Sequence, residues 1–380
     1  MNRRERIKRT LNHQEPDRIP IDLGSTLCSG IHRVAYLQFA KHLNIEINEP
    51  IIHDIMQQLA LPDEKILKYL DVDFRGIFPG GPNNNTEVFL DDGTWIDEWG
   101  VYRKKPSSAF YYDMVKSPLE NDETSFRDIE KFNWPDPNDP GRIRGLIDKA
   151  QYIRNNTDYG IVLNYQAVFV HISQYMRGFK GWYEDLLINQ KRVCELFDRI
   201  LDFYLKFGEH LFREVGQYAD VVICSDDISG QNGSLFSPKL YRELIKPRQA
   251  KLFDFVHKQT EAKLMFHTCG TVLPFMEDLI EIGVDIINPV QVSAKGMDTR
   301  VLKEKYGDKI SFWGAIDTQN ILPFGNIENV RNEVEKRILD LGRNGGYVLG
   351  AVHNIQPKVK PENILTMFSY AKEFGKYLLK

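Results

Sequence analysis

Short apolar runs alternate along this chain with longer stretches whose apolar residues recur every three or four positions. A short run with every residue buried reads as a strand, and a three-to-four spacing as a helix with one packed face. Eight runs stand out, at residues 19–23, 72–77, 161–164, 221–226, 263–267, 286–289, 310–313 and 347–350. Helical spacing covers residues 195–215, 238–257, 273–282 and 327–341, with shorter helical stretches at 128–132 and 142–155. A last helix is expected over 361–379, opened by Pro361, whose missing N–H is harmless in a first turn. Eight strands joined through helices predict an α/β protein with a closed (β/α)8 TIM barrel. The competing architecture is an open doubly wound sheet, but no Gly-rich dinucleotide fingerprint follows the first strand.

One stretch breaks the alternation. Residues 83–105 read as a β-hairpin: Glu87-Val88-Phe89-Leu90, an Asp91-Asp92-Gly93 turn, then Trp95 to Tyr102. A Pro- and Asp-rich loop follows at 133–140. The span from about 81 to 140 is therefore an excursion after the second strand that covers one end of the barrel, as a substrate lid or as a plain structural cap. The 380 residues are read as one barrel domain, 1–380, rather than two average domains.

Composition narrows the function classes. Apolar residues make up 42% and charged residues 27%, ordinary for a chain with a real core. A net charge of -4 and a pI near 6.2 give no general attraction to nucleic acid or anionic membranes. No apolar run is long enough to span a bilayer, and the basic start leads into an amphipathic stretch, not a signal peptide's apolar core. The four cysteines, Cys28, Cys194, Cys224 and Cys269, are too scattered for a disulfide framework. A reducing, cytoplasmic setting is expected, with Cys194 as a core residue of its helix.

In such a barrel the chemistry gathers at the C-terminal strand ends. These offer Asp22, Ser25 and Cys28 after strand one, and Asn164-Tyr165-Gln166 after strand three. Strand four ends in Ser225-Asp226-Asp227, strand six in Asn288 and Gln291, and strand seven leads to Asp317. Strand five ends in His267-Thr268-Cys269-Gly270, and His353 follows strand eight. Side chains two apart on a strand share a face, so His267 and Cys269 emerge together. With His353 they make three ligands and an open fourth position, the catalytic rather than the structural zinc arrangement. Packing or hydrogen bonding is the alternative for these three. Asp22 alternates with Ile21 and Leu23, so its carboxylate is buried and must find partners or shift its pKa. For Asp226 and Asp227, capping the next helix and facing the pocket are equal readings, while Asn288 and Asp317 also suit turns and caps.

Several stretches form a recognisable set: Pro16-Asp17-Arg18-Ile19-Pro20-Ile21-Asp22, Ser237-Pro238-Lys239-Leu240-Tyr241-Arg242 and Phe266-His267-Thr268-Cys269-Gly270. Trp313-Gly314-Ala315-Ile316-Asp317 and the stretch from Gly345-Gly346-Tyr347 through His353-Asn354-Ile355-Gln356 to Pro361-Glu362-Asn363 extend it to the last helix. On these residues the chain resembles the uroporphyrinogen decarboxylase superfamily. The resemblance implies a distorted (β/α)8 barrel and one of two activities. One branch decarboxylates the acetate arms of uroporphyrinogen without a cofactor. The other comprises zinc-dependent methyltransferases that exchange methyl groups with a corrinoid protein, their zinc held by a His-x-Cys pair and a late Cys. Here His267 and Cys269 match the pair, and the late position carries His353 instead of cysteine. The decarboxylase branch resembles an Arg-x-x-x-Arg clamp after strand one, whereas residues 24–33 contain only Arg33, and Arg18 precedes the strand.

The methyltransferase branch is therefore the expectation, acting on a small methylated or thiol substrate. Zinc on His267, Cys269 and His353 would serve as Lewis acid, and the corrinoid would ride on a separate protein. No Asp-x-His-x-x-Gly cobalamin signature appears in this chain. Asp22, Asp226 and Gln291 would orient the substrate, with Asn288 beside them and Tyr165 and Trp313 as pocket walls. In the alternative, a cofactor-free decarboxylase or lyase, Asp22 or Asp226 holds the reacting group and His353 acts as acid or base.

Overall fold

The computed structural model describes residues 1–83 and 87–378. Positions 84–86 of the expected hairpin and Leu379 of the expected last helix lie outside the described residues. Seven of the eight expected strands form one parallel sheet in chain order: Phe74–Ile77, Gly160–Leu163, Val221–Ser225, Lys263–His267, Ile286–Asn288, Ser311–Ile316 and Tyr347–Ala351. These are barrel strands two to eight. The first, expected over 19–23, shrinks to one parallel bridge between Ile21 and Leu349. It still ties the two sheet edges together. Asp22 N–H donates to the Leu349 carbonyl and Leu349 N–H to the Pro20 carbonyl, both at 2.9 Å, while Asp73 N–H donates to the Ile21 carbonyl at 3.1 Å. Pro20 offers no N–H, and Gly24 turns the chain away at φ 73°, which stops the pairing after a few residues. The protein is a TIM-type barrel with a vestigial first strand.

Alternation along the strands sorts the core into two layers. Phe74, Val162, Val221, Ile223, Met265, Ile286, Trp313 and Val348 point inward and fill the barrel. Ile7 and Leu11 of the helix Arg3–Leu11 join this inner cluster, as does Cys28. The alternate residues pack outward against the helices. The longest helix, Gln190–Val215, buries Val193, Leu196, Phe197, Ile200, Leu201 and Tyr204 at three- and four-residue steps. The helical stretch expected over 238–257 is interrupted by a π-helical turn at Tyr241–Ile245, just ahead of Pro247, whose ring and missing N–H disturb the regular ladder. No helix among the described residues is long and apolar enough to cross a membrane.

The excursion is larger than a hairpin. Val88–Phe89, Thr94–Ile96, Tyr102–Lys104 and Asp113–Lys116 make a four-stranded antiparallel meander. A second small sheet, Ile31–His32, Leu59–Ala60 and Ile52–Asp54, forms in the loops after strand one. The two additions meet: Tyr112 N–H donates to the Met56 carbonyl at 2.9 Å, and the ring of Phe110 lies 5.6 Å from that of His32. The same leg reaches the loop after strand eight, where Gln356 Nε2 donates to the Tyr111 hydroxyl at 2.5 Å.

At the N-terminal end of the strands, Asp73 is fully buried. Its carboxylate accepts from Arg6 Nη1 at 2.8 Å, Arg18 Nη1 at 2.7 Å and the Ile21 N–H at 2.8 Å. Asp17 binds the other side of Arg6 at 2.7 and 2.8 Å, and Asp71 binds Arg18 at 3.0 Å. Five charges thus clamp the first helix, the vestigial strand and strand two together.

Candidate metal centre

Met265 faces the barrel interior, so His267, one pleat further along strand five, faces it too. Strand five pairs with strand six in a register that sets His267 opposite Asn288. The imidazole Nδ1 lies 2.6 Å from Asn288 Oδ1. Asn288 Nδ2 donates to the Trp313 carbonyl at 3.4 Å, which assigns the amide oxygen to the histidine side. His267 therefore carries its proton on Nδ1 and presents a lone pair on Nε2, the second-shell arrangement that orients a ligating histidine.

Three elements hold the next residues. Cys269 N–H donates to Asp227 Oδ1 at 2.6 Å, Gly270 N–H donates to Gln291 Oε1 at 2.7 Å, and Thr268 N–H donates to the Asn288 carbonyl at 2.8 Å. Gly270 adopts φ 86°, and a Cβ there would fall 2.5 Å from the Gly230 carbonyl oxygen, so only glycine lets the chain turn here. This frame places Cys269 Sγ 3.5 Å from His267 Nε2. His353, two residues beyond strand eight, brings its ring to 5.6 Å from that of His267. The three donor atoms all lie within 4.8 Å of one another.

The donor set fits a zinc-like ion. Two neutral imidazoles and one thiolate are borderline-soft ligands, and tetrahedral sites with bonds of about 2.0–2.3 Å bring donors to within roughly 3.5 Å of each other. The Cys269 Sγ–His267 Nε2 pair already stands at that spacing, 3.5 Å. Electrostatics agree: burial pushes the pKa of His267 down, and burial reinforced by His267 pushes His353 down to about 4. Both imidazoles are thus neutral at pH 7 and free to donate lone pairs. Burial, aided by Asp227, pushes the Cys269 thiol well above its ordinary value. A divalent cation at this point reverses that and favours the thiolate.

The other expected site residues divide. Asp22 and Trp313 meet inside the barrel, where the indole Nε1 donates to Asp22 Oδ2 at 3.1 Å. Burial raises the pKa of Asp22 against hydrogen bonds from Ser29, Ser25 and Trp313, and no cation among the described residues pairs with it. Trp313 is fully enclosed, its ring tilted by 47° against that of Phe74 at 4.5 Å, and is a core residue rather than a pocket wall. Asn288 and Gln291 hold the frame of the His267–Cys269–His353 cluster, through His267 and Gly270.

Tyr165 and Asp226 are turned elsewhere. Asn164 takes the inward position after strand three, so Tyr165 points outward among Tyr204, Phe207 and Phe212, its hydroxyl bound to the Tyr204 carbonyl. Asp226 alternates with the strand residue Ser225 and also points outward. It accepts from the N–H groups of Phe169, Val170 and His171 at 3.0–3.1 Å, capping the start of the helix Val170–Arg177. Burial still drives its pKa up to about 7 against those three donors. Asp227 is the member of the pair beside His267, Cys269 and His353. Its Oδ2 lies 3.7 Å from His171 Nε2, and its charge reaches His267, Cys269 and His353.

His171 and Tyr111 escape sequence reasoning. His171 lies past the loop after strand three, one residue into a helix, and Tyr111 lies in the excursion, where no periodicity marks an inward side. The only signal for either was proximity in sequence to a strand end or an aromatic-rich loop. Asp317 caps its own turn, accepting from Gln319 N–H at 2.6 Å and Asn320 N–H at 3.0 Å.

Comparison with known proteins adds family and fold. A family model described as uroporphyrinogen decarboxylase (URO-D) matches residues 111–374. A curated uroporphyrinogen decarboxylase from Methylococcus capsulatus is 29% identical over 73 residues, which span 19% of this chain and 20% of that protein. Among solved structures, a methyltransferase from Methanosarcina mazei superposes with a TM-score of 0.65 at 16% identity, covering 98% of this chain and 99% of that one. At that identity the likeness is one of fold. On the family match, which spans most of its length, the chain belongs to the uroporphyrinogen decarboxylase family.

Proposed function

We propose that this enzyme is a methyltransferase that moves a methyl group between a small methylated or thiol substrate and a corrinoid carried by a separate protein. The observation that supports it most is the convergence of His267, Cys269 and His353 within 4.8 Å, with Asn288 fixing the free nitrogen of His267. These three residues would hold zinc, which when bound supplies a Lewis acid able to lower a thiol's pKa or polarise a methyl ether oxygen. The chain's own groups do the rest. Asn288 keeps the His267 lone pair aimed, while Gln291 and Asp227 lock the amides of Gly270 and Cys269. Asp22, inside the barrel and without a counter-charge among the described residues, would hold a proton or accept a substrate hydrogen bond. Asp227 replaces Asp226 as the carboxylate facing the substrate, with His171 beside it. The excursion leg carrying Tyr111 would roof the site, and residues 1–380 would act as one domain.

The cofactor-free decarboxylase reading has less support. A substrate rich in carboxylates needs guanidinium groups at the C-terminal strand ends. Arg18 is engaged by Asp73 and Asp71 at the opposite end, and Arg33 is a half-exposed partner of Glu49 at 3.6 Å. The test is optical: the protein is mixed with a corrinoid protein in the Co(I) state and a panel of methyl ethers, methanol and methylated thiols. Conversion to the methyl-Co(III) spectrum, dependent on Cys269, supports the proposal. Decarboxylation of a porphyrinogen in chelator, with no corrinoid conversion, contradicts it.

A further inference from the structure

A cleft of about 640 Å³ opens on the outside of the barrel, away from the metal ligands. It runs between the helices Glu64–Leu70 and Leu146–Asn156, over strand two. Its walls are mainly apolar, with Leu61, Pro62, Leu67, Phe78 and Ile153 among them.

The charges in the cleft do not balance locally. Arg75 is held by both oxygens of Glu64 at 2.8 and 2.9 Å and lies 3.6 Å from the centre of the Tyr159 ring. Lys68 leans on the same Glu64 at 3.8 Å. Asp158 is engaged by Arg3 at 2.8 Å. That leaves Lys149, whose ammonium lies 5.8 Å above Phe78 and has no carboxylate partner among the described residues. Loss of solvent against the wall lowers its pKa, and nothing in its surroundings pulls the other way. Behind Phe78, the His53 ring stands edge-on at 4.8 Å with both nitrogens buried and unpartnered.

We propose that this cleft binds a small amphipathic carboxylate, its anionic group on Lys149 and its flat apolar body between Pro62, Leu67 and Ile153. An unpaired ammonium at the end of an apolar slot is the arrangement that selects an organic anion over its neutral analogue. Leu23 and Gly24 also line the cleft, and they directly follow Asp22, so an occupant would rest against the back of the loop that carries that carboxylate.

Isothermal titration with 2-naphthoate and with 2-naphthol tests this on the full chain. The acid should bind about ten-fold tighter than the phenol, since they differ mainly in charge. Lys149→Glu should abolish that preference and Lys149→Arg should keep it, and no ion pair of Lys149 among the described residues is lost in either variant. Cys269→Ala should leave naphthoate binding unchanged, which separates this cleft from the metal centre. Absence of naphthoate binding, equal affinity for the two compounds, a preference that survives Lys149→Glu, or loss of binding in Cys269→Ala would each overturn the proposal.

Discussion

The two ends of this barrel handle charge in opposite ways. At the N-terminal end, Asp73, Arg6 and Arg18 are buried together and satisfied within 2.8 Å, with Asp17 and Asp71 completing the set. At the C-terminal end, His267, Cys269, His353 and Asp227 gather with no lysine or arginine among the described residues paired to them. The first arrangement is closed and maintains the fold. The second leaves donor atoms facing one another and is open to an added ion. That division follows the general rule for barrels, stability at one face and chemistry at the other.

Breaking each end should therefore give different phenotypes. The largest effect is expected from Cys269→Ala, which should reduce bound zinc below about a tenth of an equivalent by removing the only thiolate of three ligands. Thermal unfolding of the metal-free protein should barely move, and metal analysis beside calorimetry checks both halves. Asp73→Ala should do the reverse. Leaving Arg6 and Arg18 buried without their shared carboxylate costs about 3–5 kcal/mol, measurable by urea unfolding. The folded fraction should keep its zinc, and a loss of zinc there would dissolve the contrast between the ends.

Asn288→Ala sharpens the comparison inside the upper end. Loss of a second-shell partner weakens metal binding by roughly 10–100-fold without removing a ligand, which competition with a chelator would measure. Retained wild-type affinity would mean that His267 needs no orienting partner.

The smallest effect is on pH dependence at the lower end. Burial pulls the pKa of Asp71 up, but Arg18 and Arg3 outweigh it and hold it below the ordinary 3.8. Burial likewise opposes Arg6 at Asp17, and the net direction is again down. A carboxylate with a depressed folded-state pKa contributes stability above its unfolded value and loses it as pH falls through the folded one. Stability should therefore decline below about pH 4, by a modest amount because both aspartates are partly exposed and screened. Asp71→Asn should flatten that decline in pH-dependent denaturation curves.

Much of the fold was legible because barrel strands are buried on both faces and read as unbroken apolar runs. The run at residues 263–267 matches its strand, and helix 327–341 matches as well. The first strand was legible as apolar but not as short, since Pro20 and Gly24 limit pairing only once the neighbours are in place. At the site, the His267 and Cys269 pair followed from strand parity alone. Asp226 and Asp227 did not separate, because an unbroken apolar run does not show which of its faces turns inward; only the packed barrel sets Val221 and Ile223 inside and so turns Asp226 outward. Tyr165 failed for the same reason, two residues past the end of strand three. The excursion carried no usable period, so the approach of Tyr111 to Gln356 had no trace in the sequence.

The central claim is that His353 completes the metal centre in place of a cysteine. X-ray absorption at the zinc edge of protein purified without chelator tests it most directly. The predicted spectrum has one sulfur and two imidazole nitrogens, with His353→Ala removing one of the nitrogens. Two sulfurs, or a His353→Ala spectrum identical to wild type, would contradict the account.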